Sequence, residues 1–278
     1  MPENINGSPF ALETNGLSKK FGSFTAVREL NLKIKRGEVY GLLGPNGAGK
    51  TTAIKLMCGL LEKSDGKISV LGKEVPDKSV APRIGYMPQE MALYVGLTVH
   101  ENIAFFGEIY GLSHRDIKRR EKELLSFIGL EKWRDSLVAN LSGGMKHRVS
   151  LVCTLVHEPE LLFLDEPTVG VDPELRASFW EYFGSLREKG ITILITTHYM
   201  DEAQHCGRIG MMRNGALIAE GTPSELMQET GAKSLEDTFL HYSRKNKNGK
   251  MNAESSDCID SNGSADAAPG RPHEEEGA

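Results

Sequence analysis

Apolar positions along this chain follow three rhythms, and each predicts a different element. Val39-Tyr40-Gly41-Leu42-Leu43, Leu161-Leu162-Phe163-Leu164 and residues 191–197 are short and almost continuously apolar. Such runs suit strands buried on both faces, as in a parallel sheet. Asn31-Leu32-Lys33-Ile34-Lys35 alternates instead, which suits a strand with one face on a core. The short strands between about 12 and 39 predict an antiparallel layer, which residues 67–71 join. Residues 116–127 and 145–157 carry apolar positions at helical spacing. Strand character is lost from about 90 to 157, so a helical subdomain is expected there, before 161–164 and 191–197 return to the parallel core.

Chemistry enters where the first apolar run stops. Gly44-Pro45-Asn46-Gly47-Ala48-Gly49-Lys50-Thr51 fits G-x-x-x-x-G-K-[ST] without a mismatch. It lies between the expected strand 39–43 and a helix expected over 52–59, which begins with Thr52. Glycines let successive N–H groups turn inward to form a concave anion site, and the helix adds its positive end to the same point. Lys50 should reach the β- and γ-phosphates of a nucleotide, and the Thr51 hydroxyl should ligate Mg²⁺. A bare Gly-rich turn would need neither side chain. The strand 161–164 delivers Asp165 and Glu166 at its carboxyl end, where open α/β sheets bind ligands. Asp165 is expected to hold Mg²⁺, through water, and Glu166 to polarise the attacking water.

Leu141-Ser142-Gly143-Gly144-Met145, placed between that loop and the acidic pair, resembles the signature segment of the nucleotide-binding subunits of ABC transporters. The resemblance covers about residues 12–242. It implies an α/β fold with a P-loop NTPase (RecA-like) core, an N-terminal antiparallel β layer and an inserted helical subdomain. It further implies two domains head to tail, each ATP lying between one phosphate loop and the other copy's signature. Ser142 and the Gly143 and Gly144 amides would then contact the γ-phosphate held at Lys50 of the other copy, from a helix opening at about Met145. By the same resemblance Gln89 is the Q-loop glutamine that contacts Mg²⁺ and water. Asp172 is the D-loop aspartate that bridges protomers, and His198 the switch histidine that senses the γ-phosphate. Phe21 takes the place of an aromatic stacked on adenine, where the family more often has Tyr. Met145 stands where the wider family has Gln, which removes one side-chain amide. Met145, Thr196-Thr197-His198-Tyr199-Met200-Asp201-Glu202-Ala203 and Ser234-Leu235-Glu236-Asp237-Thr238-Phe239-Leu240 resemble the exporter branch of daunorubicin-type and nodulation-factor-type ATPases.

Composition narrows the partners. Of the 278 residues, 39% are hydrophobic and 26% charged, ordinary for a soluble globular protein. No apolar stretch approaches the roughly 18–20 residues that span a bilayer, and no signal peptide is evident. The transporter reading therefore demands a polytopic membrane permease subunit as a separate partner, with this chain on the cytoplasmic face of the membrane. The net charge of −5 gives no whole-chain footprint for nucleic acid, and Lys118-Arg119-Arg120 reads as a solvated helix face. Cys58, Cys153, Cys206 and Cys258 lack metal-ligand spacing. The first two sit in apolar helical contexts as small core residues, and a reducing compartment is expected. Residues 1–9 are expected to be flexible, 10–243 to form the ATP-binding domain and 244–278 a disordered tail. With no internal repeat, the second domain must come from another chain, and both half-sites lie in this one. On 98–110, Val99, Ile103, Phe106 and Tyr110 share one helical face. It is either a buried stripe or part of a groove for a helix of the membrane subunit. The rival function is a soluble ABC ATPase acting on ribosomes or DNA, whose relatives carry two domains per chain or long coiled coils. A small-molecule kinase would have no use for the signature segment.

Overall fold

The structure, a computed structural model, describes residues 8–256. β1 (Phe10–Phe21) and β2 (Phe24–Lys35) form a long hairpin, and β3 (Val39–Leu43) leads through the glycine-rich loop into α1 (Lys50–Met57). β4 (Asp65–Val70) and β5 (Lys73–Glu74) return to the hairpin, and β6 (Ile84–Met87) begins the passage into three helices. These are α2 (Val99–Ile109), α3 (His114–Phe127) and α4 (Gly143–Leu155). β7 (Leu161–Asp165), α5 (Pro173–Glu188), β8 (Thr192–Thr197), α6 (Met200–Ala203), β9 (Arg208–Arg213) and β10 (Ala216–Gly221) follow. Two helices come last, α7 (Pro223–Thr230) and α8 (Leu235–Ser256).

The strands form two sheets. One is antiparallel, in the order β2-β1-β4-β5; the other runs β10-β9-β3-β8-β7-β6. In the second sheet β9, β3, β8, β7 and β6 are parallel, and β10 is an antiparallel edge. The continuous apolar runs are explained by two cores, one on each face of this sheet. Along β7, Leu161 and Phe163 join the core shared with α1 and the antiparallel layer, and Leu162 and Leu164 join the one shared with the helices. β8 divides in the same way, Leu194 to one side and Ile193 and Ile195 to the other. Successive side chains point to opposite faces, so a strand covered on both must be apolar throughout. Phe163 is fully buried, and truncating such a side chain to alanine costs about 3–5 kcal/mol.

Several expectations change in detail. α4 starts at Gly143 rather than near Met145, because Ser142 caps it by accepting the Met145 N–H. α8 runs through residue 244, where an unstructured tail was expected, and continues to the last described residue, Ser256. No proline interrupts residues 235–256, and proline is the residue that would stop a helix there. Residues 257–278, Cys258 among them, and residues 1–7 lie outside the described residues. The basic run on α3 is not a solvated face throughout. Lys118 and Arg119 are exposed, but Arg120 is buried, with Nη2 donating to the Leu155 carbonyl at 3.0 Å and Nη1 to Glu123 at 2.7 Å. Cys153 and Cys206 are buried and Cys58 only partly so. Burial pushes the Cys153 thiol up, and that of Cys206 up to about 12, so neither is a ready thiolate. On α2, Val99 and Ile103 are buried and Tyr110 stacks on His157 with ring centroids 3.7 Å apart. Phe106 and Tyr110 are only partly buried and line a small cleft with Pro88 and Ala92, so the face is a buried stripe at its start and a cleft wall at its end.

Candidate functional site

The glycine-rich loop is clamped between the two sheets. A Cβ on Gly44 would overlap the Met212 carbonyl at the end of β9, and one on Gly49 the Ala26 carbonyl of β2. Gly49 also has φ +102°, in a region that side chains other than glycine's rarely enter. The β9–β10 turn fastens the loop from a third side. Gly215 N–H donates to the Ala48 carbonyl at 3.0 Å, and the Gly215 carbonyl accepts from Arg28 N–H at 2.8 Å. The resulting cleft, about 260 Å³, is lined by residues 46–52 with Phe24, Ala26, Gln89 and Glu166. Gly44 and Pro45 bound it through Lys50, whose Nζ donates to their carbonyls at 2.7 and 3.3 Å.

Lys50 is only 5% exposed and its Nζ lies 3.4 Å from Glu166 Oε1. The other oxygen of that carboxylate accepts from Gln89 Nε2 at 3.2 Å and sits 3.3 Å from His198 Nδ1. The His198 contact is close but not aligned as a hydrogen bond. Three residues spread between positions 50 and 198 thus converge on one carboxylate. Glu166 holds a left-handed φ of +54°, a conformation that costs a non-glycine residue roughly 1–3 kcal/mol and clusters at functional sites. It is kept there by its own N–H, shared at 3.1 Å between the Thr196 carbonyl and hydroxyl.

Asp165 ends β7 fully buried. Thr196 Oγ1 donates to its Oδ1 at 2.5 Å, while Oδ2 has no hydrogen-bond partner. Burial raises the Asp165 pKa above the usual carboxylate range, opposed by the Thr196 hydrogen bond and the nearby Thr51 hydroxyl and reinforced by the charge of Glu166. A buried carboxylate oxygen left free beside a threonine hydroxyl is an oxygen-only donor pair, the kind Mg²⁺ prefers. His198 follows β8, and its loop is tied down by Glu202. Thr197 Oγ1 donates to Glu202 Oε2 at 3.0 Å and Arg176 Nε of α5 lies 3.4 Å from Glu202 Oε1.

Other expected residues lie apart from the cleft. Ser142, Gly143 and Gly144 sit at the start of α4 and none of them lines it; Ser142 and Gly143 are exposed. Asp172 caps α5, accepting from Leu175 N–H at 3.0 Å. Met145 packs against the helix-side core. Phe21 is 50% exposed at the hairpin tip, with Lys19 Nζ 5.1 Å from its ring centre. Its cross-strand partner Phe24, not Phe21, borders the cleft. Phe24 and Thr196 were thus missed as site residues. For Thr196 a signal existed: paired threonines ending an otherwise aliphatic buried strand need hydroxyl partners.

Comparisons with known proteins agree with this geometry. A family model described as ABC transporter matches residues 27–169. The probable multidrug ABC transporter ATP-binding protein YbhF of Escherichia coli is 45% identical over 230 residues, which are 81% of this chain and 40% of YbhF. The chain therefore spans about two fifths of that relative's length. The Nod factor export ATP-binding protein I of Bradyrhizobium diazoefficiens is 42% identical over 228 residues, 81% of this chain and 74% of that protein. A solved structure of the ATP binding subunit of an ABC transporter superposes with TM-score 0.78 at 32% identity, covering 84% of this chain and 99% of the other. On the phosphate cleft, the signature segment and these matches together, the chain belongs to the ABC transporter family, as an ATP-binding domain.

Proposed function

We propose that this chain hydrolyses ATP to drive a membrane exporter, working as a dimer of identical copies against a polytopic permease subunit. The observation that carries the reading is the convergence of Lys50, Gln89 and His198 on the Glu166 carboxylate at the mouth of the phosphate cleft. Lys50 would meet the β- and γ-phosphates, and loop N–H groups would cradle them. Mg²⁺ would be held by Thr51, Asp165 and Gln89, where it would neutralise charge on the phosphates. Glu166 would orient water in line with the γ-phosphorus, its carboxylate steered by Gln89 and His198. Phe24, with Phe21 beside it, would offer the hairpin tip to the adenine.

The signature residues lie outside the cleft of their own copy, which supports the head-to-tail arrangement. Ser142 with the Gly143 and Gly144 amides, at the positive end of α4, would close over a phosphate held by a second copy. Ligand bound only in the closed dimer favours closure by mass action, and loss of the γ-phosphate reopens it. Exposed Met91, Tyr94, Val95 and Leu137 lie near the Q-loop and are where a cytoplasmic helix of the permease would dock. Ala139 N–H donates to the Val95 carbonyl at 3.0 Å, which brings this patch together.

The relatives named for multidrug transport and Nod factor export support the exporter branch. No helix of the described residues is long and apolar enough to cross a membrane, so attachment to the cytoplasmic face would run through the partner. Nothing in the described residues favours action on ribosomes or DNA; the longest helix between the phosphate loop and His198 has 16 residues, far short of a coiled-coil arm. The test is Glu166→Gln, tagged and recovered from gently solubilised membranes. Turnover should fall roughly 10²-fold or more, the scale of a positioned general base, and a polytopic membrane protein should copurify in the ATP-bound state. Near-normal turnover would remove Glu166 as the base; ribosomes or DNA-bound factors without a membrane protein would overturn the transport role.

A further inference from the structure

The imidazole of His147 is buried, 8% exposed, on the first turns of α4, and its Nε2 lies 2.6 Å from the carbonyl of Pro167. A carbonyl only accepts, so Nε2 must carry the proton and His147 is the donor. Burial lowers its pKa below the ordinary histidine value, which keeps the ring neutral in this role. Pro167 directly follows Glu166, the residue held at φ +54°. A second approach lies three residues earlier on the same helix, where a Cβ on Gly144 would come 3.7 Å from the Gly170 carbonyl. α4 therefore lies close against the segment after Glu166, and the His147 contact is a directed hydrogen bond.

That placement joins two segments with different clients. The N-terminus of α4 carries Ser142, Gly143 and Gly144, which serve the nucleotide of the other copy. The segment on which His147 pulls carries Glu166, which serves the copy's own nucleotide. The carboxylate of Glu166 is steered by Gln89 and His198 from the cleft side, whereas the peptide after it is steered by His147 from the α4 side.

We propose that His147 is a positioning residue that couples the two ATP sites of the dimer. Through its hydrogen bond to the Pro167 carbonyl, engagement of α4 with the opposite nucleotide sets the orientation of Glu166 within the same copy. This rests on the roles given above to Glu166 and Ser142. It predicts that the bond matters for turnover and for cooperativity between sites, and not for the affinity of the phosphate cleft.

The side-chain amide nitrogen of glutamine can take the place of imidazole Nε2, whereas that of asparagine reaches only to the Nδ1 position. His147→Asn and His147→Gln are therefore compared in the full chain, with kcat, KM for ATP, the Hill coefficient of hydrolysis, and nucleotide affinity by fluorescence of a labelled ATP. His147→Asn should lower kcat about tenfold, the scale of one buried hydrogen bond, and bring the Hill coefficient towards one. Nucleotide affinity should stay unchanged, and His147→Gln should recover most of both losses. Equal impairment of the two variants, or full activity and cooperativity in His147→Asn, would overturn the coupling. Glu166→Gln assayed alongside separates the two readings. If it turns over normally the site reading itself falls, and if it is inactive while His147→Asn is undisturbed only the coupling falls.

Discussion

At the scale of single residues, the site depends on side chains that hold other side chains. Thr196 is the clearest case. Its hydroxyl donates to Asp165 and accepts from Glu166 N–H, and its carbonyl accepts from the same N–H. Thr196→Val keeps the shape and removes the hydroxyl, leaving a buried carboxylate oxygen without its donor. The expected cost is about 1–3 kcal/mol by denaturant unfolding, together with reduced turnover as Glu166 loses one of its two anchors. Unchanged stability would show that water replaces the hydroxyl. The residues proposed to act on nucleotide directly were legible as a group that the fold brings to one cleft, because glycine spacing, a lysine and an acidic pair after an apolar strand each have a chemical reason to stand in order. The residues that hold them were not. Arg120 sits in a run of like charges, and nothing local says that only its guanidinium turns inward to the Leu155 carbonyl. Phe21 and Phe24 are Cα partners across a hairpin, and sequence spacing alone does not choose which of them borders the cleft.

At the scale of elements, the carboxyl ends of β7 and β8 are fastened to the helices that follow them. α5 and the loop after β8 meet through Arg176, Glu202 and Thr197, with Arg176 also 5.1 Å from the ring centre of Tyr199. Glu202 is 1% exposed. Arg176→Met would leave that carboxylate without its cation, at a cost of about 2 kcal/mol given that Arg176 itself is partly exposed. The same variant should loosen His198, which scanning calorimetry and ATPase assay would show together. A second fastening lies at the opposite end of the sheet. Arg83, before β6, donates through Nε and Nη2 to both oxygens of Glu160, before β7, at 2.6 and 2.8 Å. These bonds hold the Glu160 pKa below the usual range. A lowered folded pKa means stability present above the unfolded value, about 4.3, and lost as pH falls through the folded one. Glu160→Gln should therefore melt earlier than the parent at neutral pH, by less than about 1 kcal/mol because the pair is half exposed. The difference should fade as pH drops below 4; a gap that persists in acid would point to packing instead.

At the scale of the whole molecule, one copy in the proposed head-to-tail dimer would carry two half-sites and complete neither. Lys50 lines the cleft and Ser142 does not, so two differently damaged copies should repair each other. Lys50→Ala and Ser142→Arg are each expected to be inactive alone. Mixed, they form one intact site, from the phosphate loop of the second and the signature of the first, and hydrolysis should reappear. Continued silence on mixing, with dimers formed, would argue against a shared site. The layered architecture was legible from the two apolar rhythms of strands, since a strand covered on both faces cannot alternate. The reach of α8 was not, because residues after 243 lack the apolar spacing from which a helix is read.

The clamp on the glycine-rich loop also suggests where the molecule can be observed. The β1–β2 hairpin holds Gly49 through Ala26 and meets the β9–β10 turn through Arg28, and that turn in turn holds Ala48. The tip of the same hairpin, Gly22 and Ser23, is exposed with open space around Gly22. A dye attached at Ser23, next to Phe24 on the cleft wall, would ride on the hairpin that clamps the loop, so its emission should report nucleotide capture while the loop residues themselves stay unaltered.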